Sequence, residues 1–417
     1  MMRATCGLAL ALAFSAPVWA DSQLDAPDTA RYLRWGAVRV RPGFAVSNLG
    51  YDNNILLSSD ERKVGDFTAT LSPRLAGLVL LGKSAFLTFD ERLNYRAYAS
   101  HSDQNYLDNH TSARITFPLR RRYGVYAELG YDLTNQRPID LEDIRPERKD
   151  TSGGFGVILE PRWRTEIDAG LTFNDIRYDD PDFDPAVGGR SIGERLDRYE
   201  RGTKLDVRYR VRGRTRIVFK GLVKAIAFDH PFVDPGSGET LDRDTREWRV
   251  MSGVEFGEGG SLRGTMLVGW DHIGAQANIL QDLSEPVGEA QVSYRLNSRT
   301  RFELEGERLP GFAIFGFNSY YLYRNINLRT VYFFSRTIGL EVGAGPGKLT
   351  FPDSINLAGR EDRLMRYLLG VRLRLMQNSA GRRVEYSFRI NYYDRTSNLE
   401  QFDRNTLTAG FGAVLGY

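Results

Sequence analysis

The strongest constraint on this chain is a period of two in its hydrophobicity. Val384, Tyr386, Phe388, Ile390 and Tyr392 alternate with Glu385, Ser387, Arg389, Asn391 and Tyr393. Met365, Tyr367, Leu369, Val371, Leu373 and Leu375 alternate with Arg366, Leu368, Gly370, Arg372 and Arg374. Val125, Ala127, Leu129 and Tyr131 oppose Tyr126, Glu128, Gly130 and Asp132; Leu205, Val207 and Tyr209 oppose Lys204, Asp206, Arg208 and Arg210; Phe302 and Leu304 oppose Arg301, Glu303 and Glu305. A strand puts successive side chains on opposite faces, so each segment has one apolar face and one charged face.

Eighteen such segments run from 36–51 to 404–417, with 151–160, 286–296, 300–309, 321–333, 364–375 and 383–394 among them. Most have about a dozen residues, the length a tilted strand needs to cross a bilayer. Segments 36–51 and 321–333 lose clean alternation, which marks bulges or an alternative count of 16 strands. The connections alternate in length. Leu81-Gly82-Lys83, Arg120-Arg121-Arg122-Tyr123, Arg162-Trp163-Arg164, Arg212-Gly213-Arg214 and Asn297-Ser298-Arg299 are short, whereas 136–150, 179–195 and 229–243 are long, acidic and contain proline. A soluble sandwich has no reason to alternate in this way. A bacterial outer-membrane barrel does, with short periplasmic turns and longer extracellular loops. The expected fold is therefore all-β: a transmembrane, antiparallel, up-and-down β-barrel of about 18 strands, forming one domain over 36–417.

Residues 1–20 read as a secretory signal peptide, with Arg3 at its start, an apolar Leu8–Phe14 and a small-residue ending at Ala20. Cys6 lies inside it, so the mature chain carries no cysteine and no disulfide. Residues 21–35 read as a flexible periplasmic leader, too short to form a plug domain. Only 41% of residues are hydrophobic, which excludes a bundle of apolar helices but suits strands that are half apolar. Tyr and Phe suit the two bilayer interfaces, and inward Gly leaves room in the lumen.

The chain has 49 Arg but 7 Lys, and a net charge of only +3. Near balance speaks against a nucleic-acid partner. The Arg excess has two readings. In one, Arg and carboxylates form a ladder of pairs on facing inward positions. In the other, Lys204, Arg208, Arg210, Glu303, Glu305, Arg366, Arg372, Arg374, Glu385 and Arg389 line a path for an anionic or hydroxyl-rich solute. Inward Tyr126 and Tyr393 would then offer stacking faces to sugar rings.

Residues able to do covalent chemistry are sparse. His101, His110, His230 and His272 form no close metal-binding pair, and no Cys ligand accompanies them. Asp229-His230 with Asp234 is the best acid–base candidate, and Asp179–Asp184 the best Ca²⁺ candidate; both read more simply as solvated loops. Arg120-Arg121-Arg122 reads as a turn in contact with lipid headgroups. No catalytic residue, metal or cofactor is expected.

Leu407, Ala409, Phe411, Ala413, Leu415 and Tyr417 form an apolar face that ends on an aromatic residue. This resembles the closing strand of outer-membrane proteins, and by that resemblance Phe411, Leu415 and Tyr417 are a signal for the outer-membrane insertion machinery. Gly50-Tyr51-Asp52-Asn53-Asn54-Ile55, followed by a strand Phe67–Leu80 containing Ser72-Pro73, resembles the opening of the family called beta-barrel porin type 2. The motif itself reads as turn formers that end the first strand. Many members of that family belong to exopolysaccharide or capsule gene clusters. The resemblance implies a porin-like channel in the bacterial outer membrane that assists polymer export. Its surroundings would be lipid, lipopolysaccharide and periplasmic polysaccharide-export proteins. The alternatives are an uptake porin for small anionic or sugar solutes, and a surface enzyme built on the outer loops.

Overall fold

The computed structural model describes residues 22–29, 32–58, 60–82, 84–135, 147–179, 196–233, 240–257, 260–275, 282–312, 320–351, 359–375 and 383–416. Its long strands are β1 (Val38–Asp52), β2 (Asp66–Leu81), β3 (Ala85–Tyr98), β4 (Tyr106–Arg120), β5 (Tyr123–Asn135) and β6 (Glu147–Arg162). They continue as β7 (Thr165–Asp179), β8 (Arg198–Arg212), β9 (Thr215–Phe228), β10 (Thr245–Phe256), β11 (Leu262–Ala275) and β12 (Leu283–Arg295). The last six are β13 (Thr300–Phe312), β14 (Tyr320–Phe333), β15 (Ile338–Thr350), β16 (Glu361–Leu375), β17 (Arg383–Ser397) and β18 (Arg404–Gly416).

Each strand pairs antiparallel with the next, and β1 pairs with β18 from Gly43↔Gly416 to Asp52↔Thr408. The sheet is thus a closed barrel of eighteen strands. Closure pairs the edges, whose backbone groups lipid could not satisfy. A further short strand, Leu33–Trp35, folds back on the start of β1 through Gly36, whose φ of +59° is a left-handed value that glycine takes without strain.

All eighteen expected segments are strands, so the count of 16 is set aside. β6 starts at Glu147, β12 at Leu283 and β16 at Glu361, while β13 runs to Phe312 and β17 to Ser397. Each extends beyond its expected boundary at the long-loop end. There the period of two disappears although the hydrogen-bonded ladder continues. The two segments with broken alternation differ in their ladders. In β1 the register shifts between Val46 and Leu49, around Asn48 at φ 54°. In β14 pairing with β15 lapses at Ile326 and Asn327, where the partner strand carries Pro346, which has no N–H to donate.

The outer face is apolar. Phe67, Leu129, Val268 and Phe411 are each more than 60% exposed, while their chain neighbours turn inward. Inside, one corner is filled. Val218, Met251, Leu267 and Val287 form a buried cluster with Leu309 packed against it. Phe228 of β9 meets Phe312 of β13 with ring centroids 5.4 Å apart, and Arg198 of β8 lies 5.0 Å over the same Phe312 ring. Neighbouring strands are about 4.8 Å apart, so contact between strands four and five positions apart needs a tightly bent wall.

Candidate functional site

Most of the charged residues singled out from the sequence fall into two lumenal networks. The first centres on Glu341 of β15, which is fully buried. Arg372 donates to both of its oxygens at 2.7 Å, and Arg389 and Arg329 each donate at 3.1 Å. Glu341 pairs in register with Gly370, and Gly370 with Arg389. The missing side chain at Gly370 lets Arg389 reach across; a Cβ there would sit 3.0 Å from Arg389 Cγ. Arg329 also binds Glu303, which Arg301 meets at 2.8 Å. Arg372 and Arg374 donate to Glu385 at 3.0 and 3.4 Å. Glu303, Arg372, Arg374, Glu385 and Arg389 therefore share one network.

Glu305 lies one inward position along β13 from Glu303 and makes no ion pair among the described residues. Arg366 donates to the Tyr323 hydroxyl at 2.8 Å and lies 5.7 Å over the Tyr393 ring. The second network is on β5–β10. Lys204 binds Glu128 at 2.5 Å, and Arg208 meets Glu166, Asp206 and Glu255 at 2.8, 3.3 and 3.6 Å. Arg210 lines a small recess with Arg216 at the short-turn end. The Tyr126 hydroxyl donates to Asp168 at 2.6 Å, and its ring lies 3.8 Å from the Arg114 guanidinium and 5.3 Å from Lys204 Nζ. These cations and burial occupy the face that was expected to be free for a sugar.

The wall of β1–β7 is open instead. Arg41, Ala76, Asp90, Ser112, Gly130, Ser152 and Asn174 form one row across it, strand by strand. Ala76, Ser112, Gly130 and Ser152 are small, and beside them lies a cavity of about 680 Å³. Arg74, Arg92, His110 and Arg114 flank it from the adjacent rows. Its volume is in the range of small-molecule sites, roughly 300–1,000 Å³. Asp90 accepts from Arg74 Nε at 3.0 Å and from Arg92 Nε at 2.5 Å. None of Arg41, Arg74, Asp90 and Arg92 stood out in the sequence. Their signal was the run of small inward residues, which lines up only once the register of several strands is known.

The leader enters this side of the lumen. Leu24 packs with Tyr126 and Ile158. Gln23 accepts from Arg114 at 2.9 Å and donates to Glu166 at 2.8 Å, and Ser22 binds Glu160. Pro27 and Tyr32 border the recess. Ser22, Gln23 and Leu24 of the expected flexible leader are thus held inside the short-turn mouth, while Leu33–Trp35 pairs with β1 and is exposed; the signal segment 1–20 lies outside the described residues.

The sequence profile of the family described as "Putative beta-barrel porin 2" matches residues 33–415. The chain belongs to this family. That agrees with the resemblance carried by Gly50–Ile55. No curated protein matches the chain. Among solved structures it is similar to the outer membrane protein OpdK of Pseudomonas aeruginosa, at 12% identity over 91% of this chain and 99% of that one, with a TM-score of 0.46. OccAB3 of Acinetobacter baumannii matches at 10% identity over 91% and 99%, with a TM-score of 0.48. The ferric citrate transporter FecA matches at 12% identity and a TM-score of 0.46; it aligns with 89% of this chain, which spans 63% of FecA.

In this porin-like barrel the Gly50–Ile55 motif builds the seam between first and last strands. A Cβ at Gly50 would lie 1.9 Å from the Ala409 carbonyl oxygen. Asn53 and Leu407 exchange two hydrogen bonds, at 3.1 and 2.7 Å. Asp52 accepts from the Asn54 N–H at 3.0 Å and from Arg96 at 3.1 Å. The fully buried Asn54 amide bonds the backbone of Ser58 in both directions, at 2.8 and 3.0 Å. Ile55 is fully buried beside it, while Tyr51 points outward against Phe67. The motif is a latch as well as a turn.

At the long-loop rim, Asp229 is engaged by Arg177, and Asp179 lies 3.6 Å from Lys149. Asp234 and residues 180–184 lie outside the described residues. Asp197 sits below this rim; burial pushes its carboxyl up to about 6, with the nearby Asp229 adding to the rise, against the lowering hydrogen bond from the Tyr178 N–H and the charge of Arg177. Phe411 and Leu415, expected as part of an insertion signal, face outward, and Tyr417 lies outside the described residues.

Proposed function

We propose that this porin-like barrel passes hydroxyl-rich, carboxylate-bearing carbohydrate and assists export of an exopolysaccharide or capsular polymer. One observation carries the reading: a recess of about 680 Å³ in the lumen wall, with guanidinium, hydroxyl and amide groups around it. These groups suit carboxylates and sugar hydroxyls. The polymer itself is supported by the family resemblance. In this reading the insertion machinery places the barrel among lipid and lipopolysaccharide, and periplasmic polysaccharide-export proteins deliver the polymer. The chain acts as a channel and performs no chemistry.

The recess also favours a second reading, uptake of small anionic or sugar solutes, because its volume suits one small molecule better than a threaded polymer. Planar-bilayer recording and a gene deletion separate the two. Polymer export predicts discrete conductance steps and reduced surface polymer in the deletion strain. Conductance with solute block and normal polymer points to uptake. Silent bilayers together with normal secretion overturn both.

A further inference from the structure

We propose that the Arg41–Arg74–Arg92 end of the recess is a subsite for the carboxylate of a sugar acid. The inference deepens the channel reading and rests on it.

Three guanidinium groups, from β1, β2 and β3, stand around one acidic group. Arg74 hydrogen-bonds one oxygen of Asp90 and Arg92 the other. Arg74 and Arg92 are themselves directly opposite in the β2–β3 ladder. Like charges in that position repel, and one shared carboxylate offsets the repulsion only in part. Arg41 stands in the same row as Asp90, with only the Ala76 methyl between them. It lies 5.5 Å from the Tyr32 ring and has no carboxylate partner among the described residues. Four charged groups thus leave a local excess of positive charge, and all four border the cavity.

Water and solute can reach this cluster. The side chains of Arg74, Asp90 and Arg92 keep 16, 18 and 26% exposure. A planar guanidinium fork matches a carboxylate in two parallel hydrogen bonds, and Arg41 is the fork available to make them.

The rest of the recess sets the orientation of the solute. Along the row from Asp90 follow Ser112, Ser152 and Asn174, which hydrogen-bond ring hydroxyls. Glu128 and Asp132 flank this row on β5, either side of Gly130, the latter bound by His110. Those carboxylates repel a second acid group. The solute therefore carries its acid group toward β1–β3 and neutral hydroxyls toward β4–β7, with Tyr32 beside it as an aromatic face.

The test uses the full chain in planar bilayers, with glucuronate, glucose and glucose 6-phosphate as blockers, and calorimetry of the same solutes in detergent micelles. Glucuronate should half-block at a concentration about tenfold below glucose, equivalent to about 1.4 kcal/mol. Arg41→Ala should remove most of that difference while moving glucose block far less, and Arg41→Lys, which keeps charge but loses the fork, should fall between. Retained heat-modifiable gel mobility shows that the variants are folded. Equal block by glucuronate and glucose, or equal shifts for both in Arg41→Ala, overturns the subsite. Tighter block by glucose 6-phosphate than by glucuronate overturns the carboxylate assignment. Conductance without acid preference defeats the subsite and leaves the channel standing. Arg41-dependent glucuronate binding by a silent protein does the reverse.

Discussion

Two acidic groups in this lumen, Glu341 and Asp90, start from the same chemistry and end in different states. Each gathers guanidinium groups, Glu341 from other strands and Asp90 from one neighbouring strand and its own. Glu341 holds Arg329, Arg372 and Arg389 and is fully buried. Asp90 holds Arg74 and Arg92 and stays open to a cavity. The difference comes from what flanks them. Around Glu341, long side chains fold over the gap at Gly370 and fill it. Beside Asp90 the small side chains of Ala76, Ser112, Gly130 and Ser152 leave the gap empty. An Arg–carboxylate cluster is therefore structural or solute-accessible according to its neighbours, not its own composition.

The comparison can be broken most severely at Glu341. Glu341→Ala removes the buried anion that three guanidinium groups share, and should cost about 3–5 kcal/mol. The heat-modifiable, compact form on gels should disappear at a lower temperature. Unchanged stability would mean that this network is as open as the other. Next in size is Ser112→Phe, which fills the recess. Unitary conductance should be roughly halved, with little change in unfolding temperature, because the lost space carries solute rather than structure.

Asp90→Asn should act on selectivity. Losing a charge at an accessible pair costs less than about 1 kcal/mol. The reversal potential in a salt gradient should move toward anions, since Arg41, Arg74 and Arg92 remain. The smallest effect is expected outside both networks, at Asp197. Its carboxyl is raised to about 6 from an ordinary value of 3.8. The folded state therefore holds the proton more tightly than the unfolded chain, and this contribution to stability is complete below the unfolded value and lost as pH rises through 6. Asp197→Asn should flatten the pH dependence of unfolding between about 4 and 6. An unaltered pH profile would remove Asp197 as its source.

Much of the fold was legible because lipid imposes a simple rule on each strand. Val125, Ala127, Leu129 and Tyr131 must face out, so Tyr126, Glu128, Gly130 and Asp132 must face in. The rule stops where lipid stops, which is why the long-loop ends of β6, β12, β13, β16 and β17 exceeded their expected limits. The site was legible only in part. That Arg372, Arg389 and Glu385 point inward follows from alternation. That Arg372 and Arg389 meet on Glu341 does not, because it depends on three strands and a gap at Gly370. Tyr126 has the correct face in the sequence, but Arg114 and Lys204, from β4 and β8, cover its ring.

By itself the sequence determined the two faces of the wall, the alternation of turns and loops, a count of 18 or 16 strands, and the family. Each follows from neighbours along the chain, where a period of two records which side meets lipid. Only the tertiary structure decided which part of the lumen is filled and which is open. Leu309 packs against the Val218 cluster in one corner, Leu24 occupies the short-turn mouth, and four small residues from four strands make one recess. These contacts join residues far apart in sequence through the register and curvature of a closed sheet, and no local pattern encodes them.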